Sequence, residues 1–195
     1  MDASLVNFVV EIVAALFGAV CVWLTLKENI WCWGAGLVQV SLYVWVFWQA
    51  KLYSDMGLHV VYVFLQFYGF YAWMWGGEGR TRLLIRTLSP REIAFWAGLA
   101  ALGTAVLGGL MRMHTDAALP FWDAATTVLS LIAQWLMARK VLESWLVWIS
   151  VDVLCVGIYT VKGLYPTAVL YGLFLILASM GYMAWRTTFL KKQAA

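Results

Sequence analysis

Asp152 is a carboxylate placed deep in an apolar run, and the residues around it share its face. Trp145, Trp148, Asp152 and Tyr159 are spaced i, i+3, i+7 and i+14, so a helix of 3.6 residues per turn presents all four on one side. A second run repeats the pattern with His59, Tyr62, Gln66, Gly69 and Trp73, and a third offers Gln39 and Tyr43. Asp123, Thr126, Thr127, Ser130 and Gln134 form a polar ridge on a fourth. Polar groups at membrane depth are costly and face a bundle interior or a water-filled cavity. These stripes are therefore expected to line one cavity. Its chemistry combines aromatic faces, amides, hydroxyls and a carboxylate. Stacking and cation–π attraction, about 0.5–2 kcal/mol per ring, suit a flat, positively charged heteroaromatic ring. Amides and hydroxyls suit an attached sugar or amino group. The candidate substrate-binding residues are Gln66, Trp145, Trp148, Asp152, Tyr43, Tyr62, Tyr159 and Gln39; no catalytic or metal-ligating residue is expected.

Structural roles compete for the same residues. Trp145 and Trp148 lie near a helix start and read equally as interfacial anchors. Gln66 and Asp152 can serve as interhelical hydrogen-bonding groups. Trp73 and Trp185, near helix ends, read as membrane-belt residues, and His59 as a solvated or packed histidine. Glu11 and Asp123 are read as outer-side groups, either structural or at a substrate entry.

The elements that must position these groups follow from composition. Of 195 residues, 64% are hydrophobic and 12% charged, with 13 Trp, 9 Tyr, 10 Phe and only 3 Pro. A soluble domain is about half apolar and a quarter charged, so this one belongs in a membrane. A helix needs about 20 apolar residues to cross roughly 30 Å of hydrocarbon. Seven such stretches fall at about 5–26, 31–50, 57–76, 93–112, 121–138, 145–162 and 166–186, forming a single transmembrane domain. The opening MDASLVN carries an acid and no basic residue before its apolar run, so the first helix is expected to be retained rather than cleaved. Three cysteines, Cys21, Cys32 and Cys155, have neither disulfide-framework nor zinc spacing.

Seven spans put the ends on opposite sides. Lys27, Arg80, Arg82, Arg86, Arg91, Arg139, Lys140, Arg186, Lys191 and Lys192 then share one side, and Lys51, Arg112 and Lys162 the other. The positive-inside rule places the N-terminus outside and the C-terminus in the cytoplasm. That topology also accounts for the basic loop, so no nucleic-acid partner is expected.

Sliding the chain by 112 residues superposes the first three stretches on the last three. Trp23 meets Trp135, Trp33 meets Trp145, Leu52–Tyr53 meets Leu164–Tyr165, and Gly69-x-x-Ala72-Trp73 meets Gly181-x-x-Ala184-Trp185. Glu11 meets Asp123, and Lys27 meets Arg139. Two three-helix units (about 5–76 and 121–186) joined by one linker helix (about 93–112) point the same way across the membrane. Such a parallel repeat is a transporter architecture with a midplane substrate site.

Enzymatic motifs are missing: there is no HExxH, GxSxG or phosphate-binding glycine loop, so no enzyme and no cofactor is expected. A retinal pigment needs a lysine within its last helix, and 166–185 has none.

Leu65-Gln-Phe-Tyr-Gly-Phe-Tyr-Ala-Trp73, Pro120-Phe-Trp-Asp-Ala124, Leu136-Met-Ala-Arg-Lys140, Glu143-Ser-Trp-Leu-Val-Trp148 and Lys162-Gly-Leu-Tyr165 resemble the PnuC vitamin transporters over nearly the whole chain. The resemblance implies an all-α integral membrane fold of seven helices arranged 3+1+3, SWEET-like, as a homotrimer in the lipid bilayer of the bacterial inner membrane. It implies facilitated diffusion (uniport) of nicotinamide riboside with trapping by cytoplasmic phosphorylation. It also points to Gln66, Trp145 and Trp148 as substrate contacts. Asp152 stands where members of the family often carry Asn. A carboxylate there serves the pyridinium of nicotinamide riboside or the thiazolium of thiamine, and does less for neutral riboflavin. The alternatives are a thiamine transporter of the same family and a membrane vitamin-binding protein or sensor that does not transport.

Overall fold

The computed structural model describes residues 3–49, 51, 53–115, 119–163 and 165–194. Leu52 and Leu164 of the repeated Leu–Tyr pair lie outside them. Seven α-helices follow in order: α1 (Ala3–Leu26), α2 (Trp31–Gln49), α3 (Tyr53–Trp75), α4 (Pro90–His114), α5 (Pro120–Ala138), α6 (Ser144–Val161) and α7 (Tyr165–Gln193). All three prolines sit in the first turn of a helix, where the missing N–H costs nothing. Ser89 fixes the start of α4 through a capping box: its side chain accepts from the Glu92 N–H, and Glu92 accepts from the Ser89 N–H. That box, with Pro90 behind it, starts α4 three residues before the apolar run does. Polar turns likewise extend α3 back to Tyr53 and α7 forward to Gln193.

Among the described residues, α1 from Val9, α4, α6 and α7 from Thr167 are long and apolar enough to cross a bilayer. In α2, α3 and α5, polar and aromatic residues replace aliphatic ones. Outward-facing apolar stripes run along the helices at three- and four-residue steps: Phe95, Leu99, Leu102, Val106 and Leu110 on α4, and Val169, Leu173, Ile176, Met180 and Met183 on α7. Such surface is unstable against water and stable against acyl chains. The fold is that of an integral membrane protein.

The chain forms two compact units, 1–84 and 85–195. In the first, α2 packs between α1 and α3. In the second, α4 packs on α5, α5 on α6, and α6 on α7. Gly103 and Gly108 let α4 approach Val128 and Phe121 of α5 closely. An apolar cluster of Ile132, Leu136 and Val141, with Leu88, Trp96 and Trp135 around it, closes one end of this second unit. The segment before α4 is strapped across the α5–α6 connection. Arg86 N–H donates to the Lys140 carbonyl (3.1 Å), Leu142 N–H to the Arg86 carbonyl (2.8 Å), and Leu88 N–H to Glu143 Oε2 (3.1 Å).

The two units are built with the same joints, 112 residues apart. After α1, the Asn29 N–H donates to the Leu24 carbonyl (2.9 Å) with Glu28 at φ 54°; after α5, the Val141 N–H donates to the Leu136 carbonyl (3.0 Å) with Lys140 at φ 49°. Both are six-to-one helix terminations carried by a non-glycine residue in the left-handed region. Such a residue costs about 1–2 kcal/mol, so both turns are held there by their surroundings. The next joint matches as well, with Lys51 at φ 58° and Gly163 at φ 72°.

Candidate functional site

A tryptophan in the first turn of α2 and of α6 is a wedge. Trp33 (α2) meets Trp73 (α3) edge-to-face, with centroids 5.4 Å apart at 87°. Trp145 (α6) meets Trp185 (α7) in the same way, at 5.5 Å and 90°. In both cases the ring lies on a glycine of the following helix, Gly69 or Gly181, where an added Cβ would strike the indole. All four tryptophans are buried, Trp145 to 2% exposure and Trp185 to 0%. The expectation that Trp73 and Trp185 form a membrane belt is therefore corrected: burying a whole indole against another removes more apolar surface than the headgroup region can. Trp33 Nε1 and Trp145 Nε1 are buried without hydrogen-bond partners, which the repetition marks as a property of the wedge.

The remaining candidates divide between the units. In the first, Gln66 (α3) is buried to 6%, with Oε1 shielded from solvent and unpaired, and its amide rests on Gly36 of α2. Gln39 (α2) turns toward α1, and its amide rests on Gly18. Tyr43 stacks on Phe47 (5.7 Å, 19°) and tilts against His59 (5.4 Å); His59 also meets Phe47 (4.9 Å) and Tyr62 (5.6 Å). His59 is thus a packed histidine in an aromatic cluster. Tyr43 and Tyr62 belong to that cluster, whereas Gln66 is one turn further along α3.

In the second unit, Asp152 (α6) is buried to 4%, and no hydrogen bond or ion pair reaches its carboxylate among the described residues. Trp148, one turn before it on the same face, is half-buried. Tyr159 stacks on Tyr171 of α7 (5.3 Å, 15°), and Tyr171 meets Phe174, the counterparts of Phe47–His59 and His59–Tyr62 in the first unit. Asp123 is paired with Lys162 Nζ at 3.3 Å, and its carbonyl accepts from the hydroxyls of Thr126 and Thr127 at 2.9 Å. The start of the α5 ridge is therefore satisfied internally. Glu11, the counterpart of Asp123, is exposed.

Among the described residues, three groups stand apart: in the first unit the Gln66 amide oxygen, and in the second the Asp152 carboxylate with the half-buried Trp148 ring one turn before it. An unpaired amide oxygen awaits a donor, an indole face awaits a flat ring, and a buried carboxylate awaits a cation.

The family model described as "Nicotinamide mononucleotide transporter" matches residues 8–187. The chain belongs to this family. A curated member from Escherichia coli K12, "Nicotinamide riboside transporter PnuC", is 28% identical over 90% of this chain and 84% of its own length. One of the same description from Neisseria mucosa is 32% identical over 89% and 70%. The "Riboflavin/roseoflavin transporter RibM" of Streptomyces davaonensis is 23% identical over 90% and 83%. A solved structure described as "Crystal structure of the Vitamin B3 transporter PnuC" superposes with a TM-score of 0.74 at 31% identity, covering 94% of this chain and 82% of that one. As a PnuC-family protein the chain is a membrane transporter of the vitamin-carrying kind.

Reading the sequence missed Gly36 and Gly18, the seats of the two amides, and the strap of Arg86 and Leu88. The 112-residue register held a signal for Gly36. Its counterpart is Trp148, and the counterpart of Gln66 is Ala178.

Proposed function

We propose that the chain carries nicotinamide riboside across the bacterial inner membrane by facilitated diffusion (uniport), the substrate being trapped by cytoplasmic phosphorylation. The observation that carries this reading is the buried carboxylate of Asp152, unpaired among the described residues and one turn from the Trp148 ring, in a chain with curated relatives named for nicotinamide riboside. A pyridinium ring stacks on Trp148 while Asp152 balances its charge; in the first unit, Gln66 Oε1 is an acceptor suited to a ligand's amide or hydroxyl groups. Tyr43 and Tyr62 in the first unit and Tyr159 in the second are further candidate contacts, whereas the Gln39 amide rests on Gly18 and the Trp145 ring on Gly181. Charge separates the nucleoside from its mononucleotide, because a phosphate dianion near an uncompensated buried carboxylate is repelled. The same argument places neutral flavins below cationic rings.

The recurring joints and ring pairs support a parallel 3+1+3, SWEET-like arrangement: repeat one at about 5–76, linker helix at about 93–112, repeat two at about 121–186. The basic residues favour an outer N-terminus and a cytoplasmic C-terminus, and the family resemblance favours a homotrimer. Thiamine is the second reading, since Asp152 suits a thiazolium equally well.

Uptake of labelled nicotinamide riboside and of thiamine into proteoliposomes, each competed by the other, tests the proposal. Saturable uptake of nicotinamide riboside, with thiamine a poor competitor, is expected. The reverse order gives the cargo to thiamine, and binding of either without uptake ends the transporter reading in favour of a vitamin-binding protein.

A further inference from the structure

We infer that Gly36 is a positioning residue: it seats the Gln66 amide and thereby sets where a ligand meets it. The inference rests on the reading of Gln66 as a ligand contact. A methyl group at Gly36 would stand 2.7 Å from both Nε2 and Oε1 of Gln66 and 2.8 Å from Cδ, so the amide occupies the space a side chain would need. Gln66 is buried to 6%, its Oε1 has no partner, and Gly36 is itself buried, so the amide is seated on this glycine away from solvent.

Two comparisons within the chain separate this glycine from the structural ones. At Gly69 and Gly181 the obstructing group is an indole ring locked between helices, so a methyl there must move a helix. At Gly36 the obstruction is the far end of a flexible side chain, which swings away at small cost to the fold but leaves its place. At the equivalent positions of the second unit the sizes are reversed. Trp148 stands where α2 has Gly36, and Ala178 where α3 has Gln66. Each unit thus pairs one large polar or aromatic group with one small residue, consistent with a single side-chain volume filled from opposite helices. In the first unit that volume holds an amide, and Gly36 is the residue that admits it.

The test uses the full-length protein in detergent and compares G36A, Q66N, Q66A, G36A/Q66N and G36A/Q66A. Nicotinamide riboside affinity is measured by titration calorimetry and unfolding by thermal melts without ligand. G36A is expected to melt within a few degrees of wild type yet bind at least tenfold more weakly. The shorter amide in G36A/Q66N should recover at least threefold of that loss, which a merely structural role for Gly36 would not produce. Without ligand, the small melting shift caused by G36A should vanish in the Q66A background. Unchanged affinity in G36A, no recovery in the double variant, or failure of G36A to fold each overturns the inference, since each means that the amide is not what yields. Wild-type affinity in Q66A instead removes Gln66 as a ligand contact. Absence of binding by the wild type overturns the functional reading, while the melting coupling still decides the seat.

Discussion

At the scale of single residues, Asp152 carries the sharpest prediction. Burying a carboxylate with no donor among the described residues costs free energy that none of them repays. Asp152→Asn removes that cost, so the ligand-free variant should melt at the wild-type temperature or above. Its affinity for a cationic vitamin should fall about tenfold, roughly 1.4 kcal/mol. Melting curves and binding isotherms on the same preparation check both signs. A variant that is destabilised, or that binds normally, shows a structural acid instead. Asp152 was legible in the sequence because an acid inside an apolar run stands out. Trp145 was half legible: spacing put it on the face of Asp152, but spacing does not show that its ring is spent on Gly181 and Trp185. The unpaired state of Gln66 was not legible at all, since whether an amide finds a partner depends on the helix opposite.

At the scale of elements, helices were easy to read and their contacts were not. Hydrophobic length located all seven helices, within a few residues at most ends, and α1, α4, α6 and α7 are long and apolar enough to cross hydrocarbon. Helix ends departed where polar capping took over, as at Ser89. Which helix touches which rests on small residues, whose partners spacing does not name. Gly181→Ala must push the Trp145 indole off its seat, and overpacking of this kind costs about 1–3 kcal/mol. Gly172→Ala, on the same helix α7, meets open space and should gain about 0.5–1 kcal/mol from helix propensity. Thermal melts of the two variants should therefore move in opposite directions. Gly69→Ala should behave like Gly181→Ala, because Trp33 occupies the same wedge in the first unit. Equal shifts for Gly172→Ala and Gly181→Ala would mean that the wedge contributes nothing to α6–α7 packing.

At the scale of the whole molecule, few charges remain to decide orientation, and the second unit shows why they lie where they do. Arg86 is tied to Glu92 (2.8 Å) and Glu143 holds the Leu88 N–H, so the basic loop before α4 is fastened to the α5–α6 connection on one face. Lys162 lies at the opposite end of α6, paired with Asp123. The basic residues thus mark two faces of a single unit, and the richer face is expected to be cytoplasmic. Single cysteines placed on the two faces turn this into a measurement. Cys32 and Cys155 are buried and Cys21 half-buried, so the native background should label little. Arg82 and His114 are both exposed, near the two ends of the chain's crossing through α4. A membrane-impermeant maleimide should label His114→Cys in intact cells, and Arg82→Cys only after permeabilisation. The opposite pattern would invert the protein and with it the side from which the vitamin enters; labelling of both from outside would remove α4 as a span and break the seven-span topology.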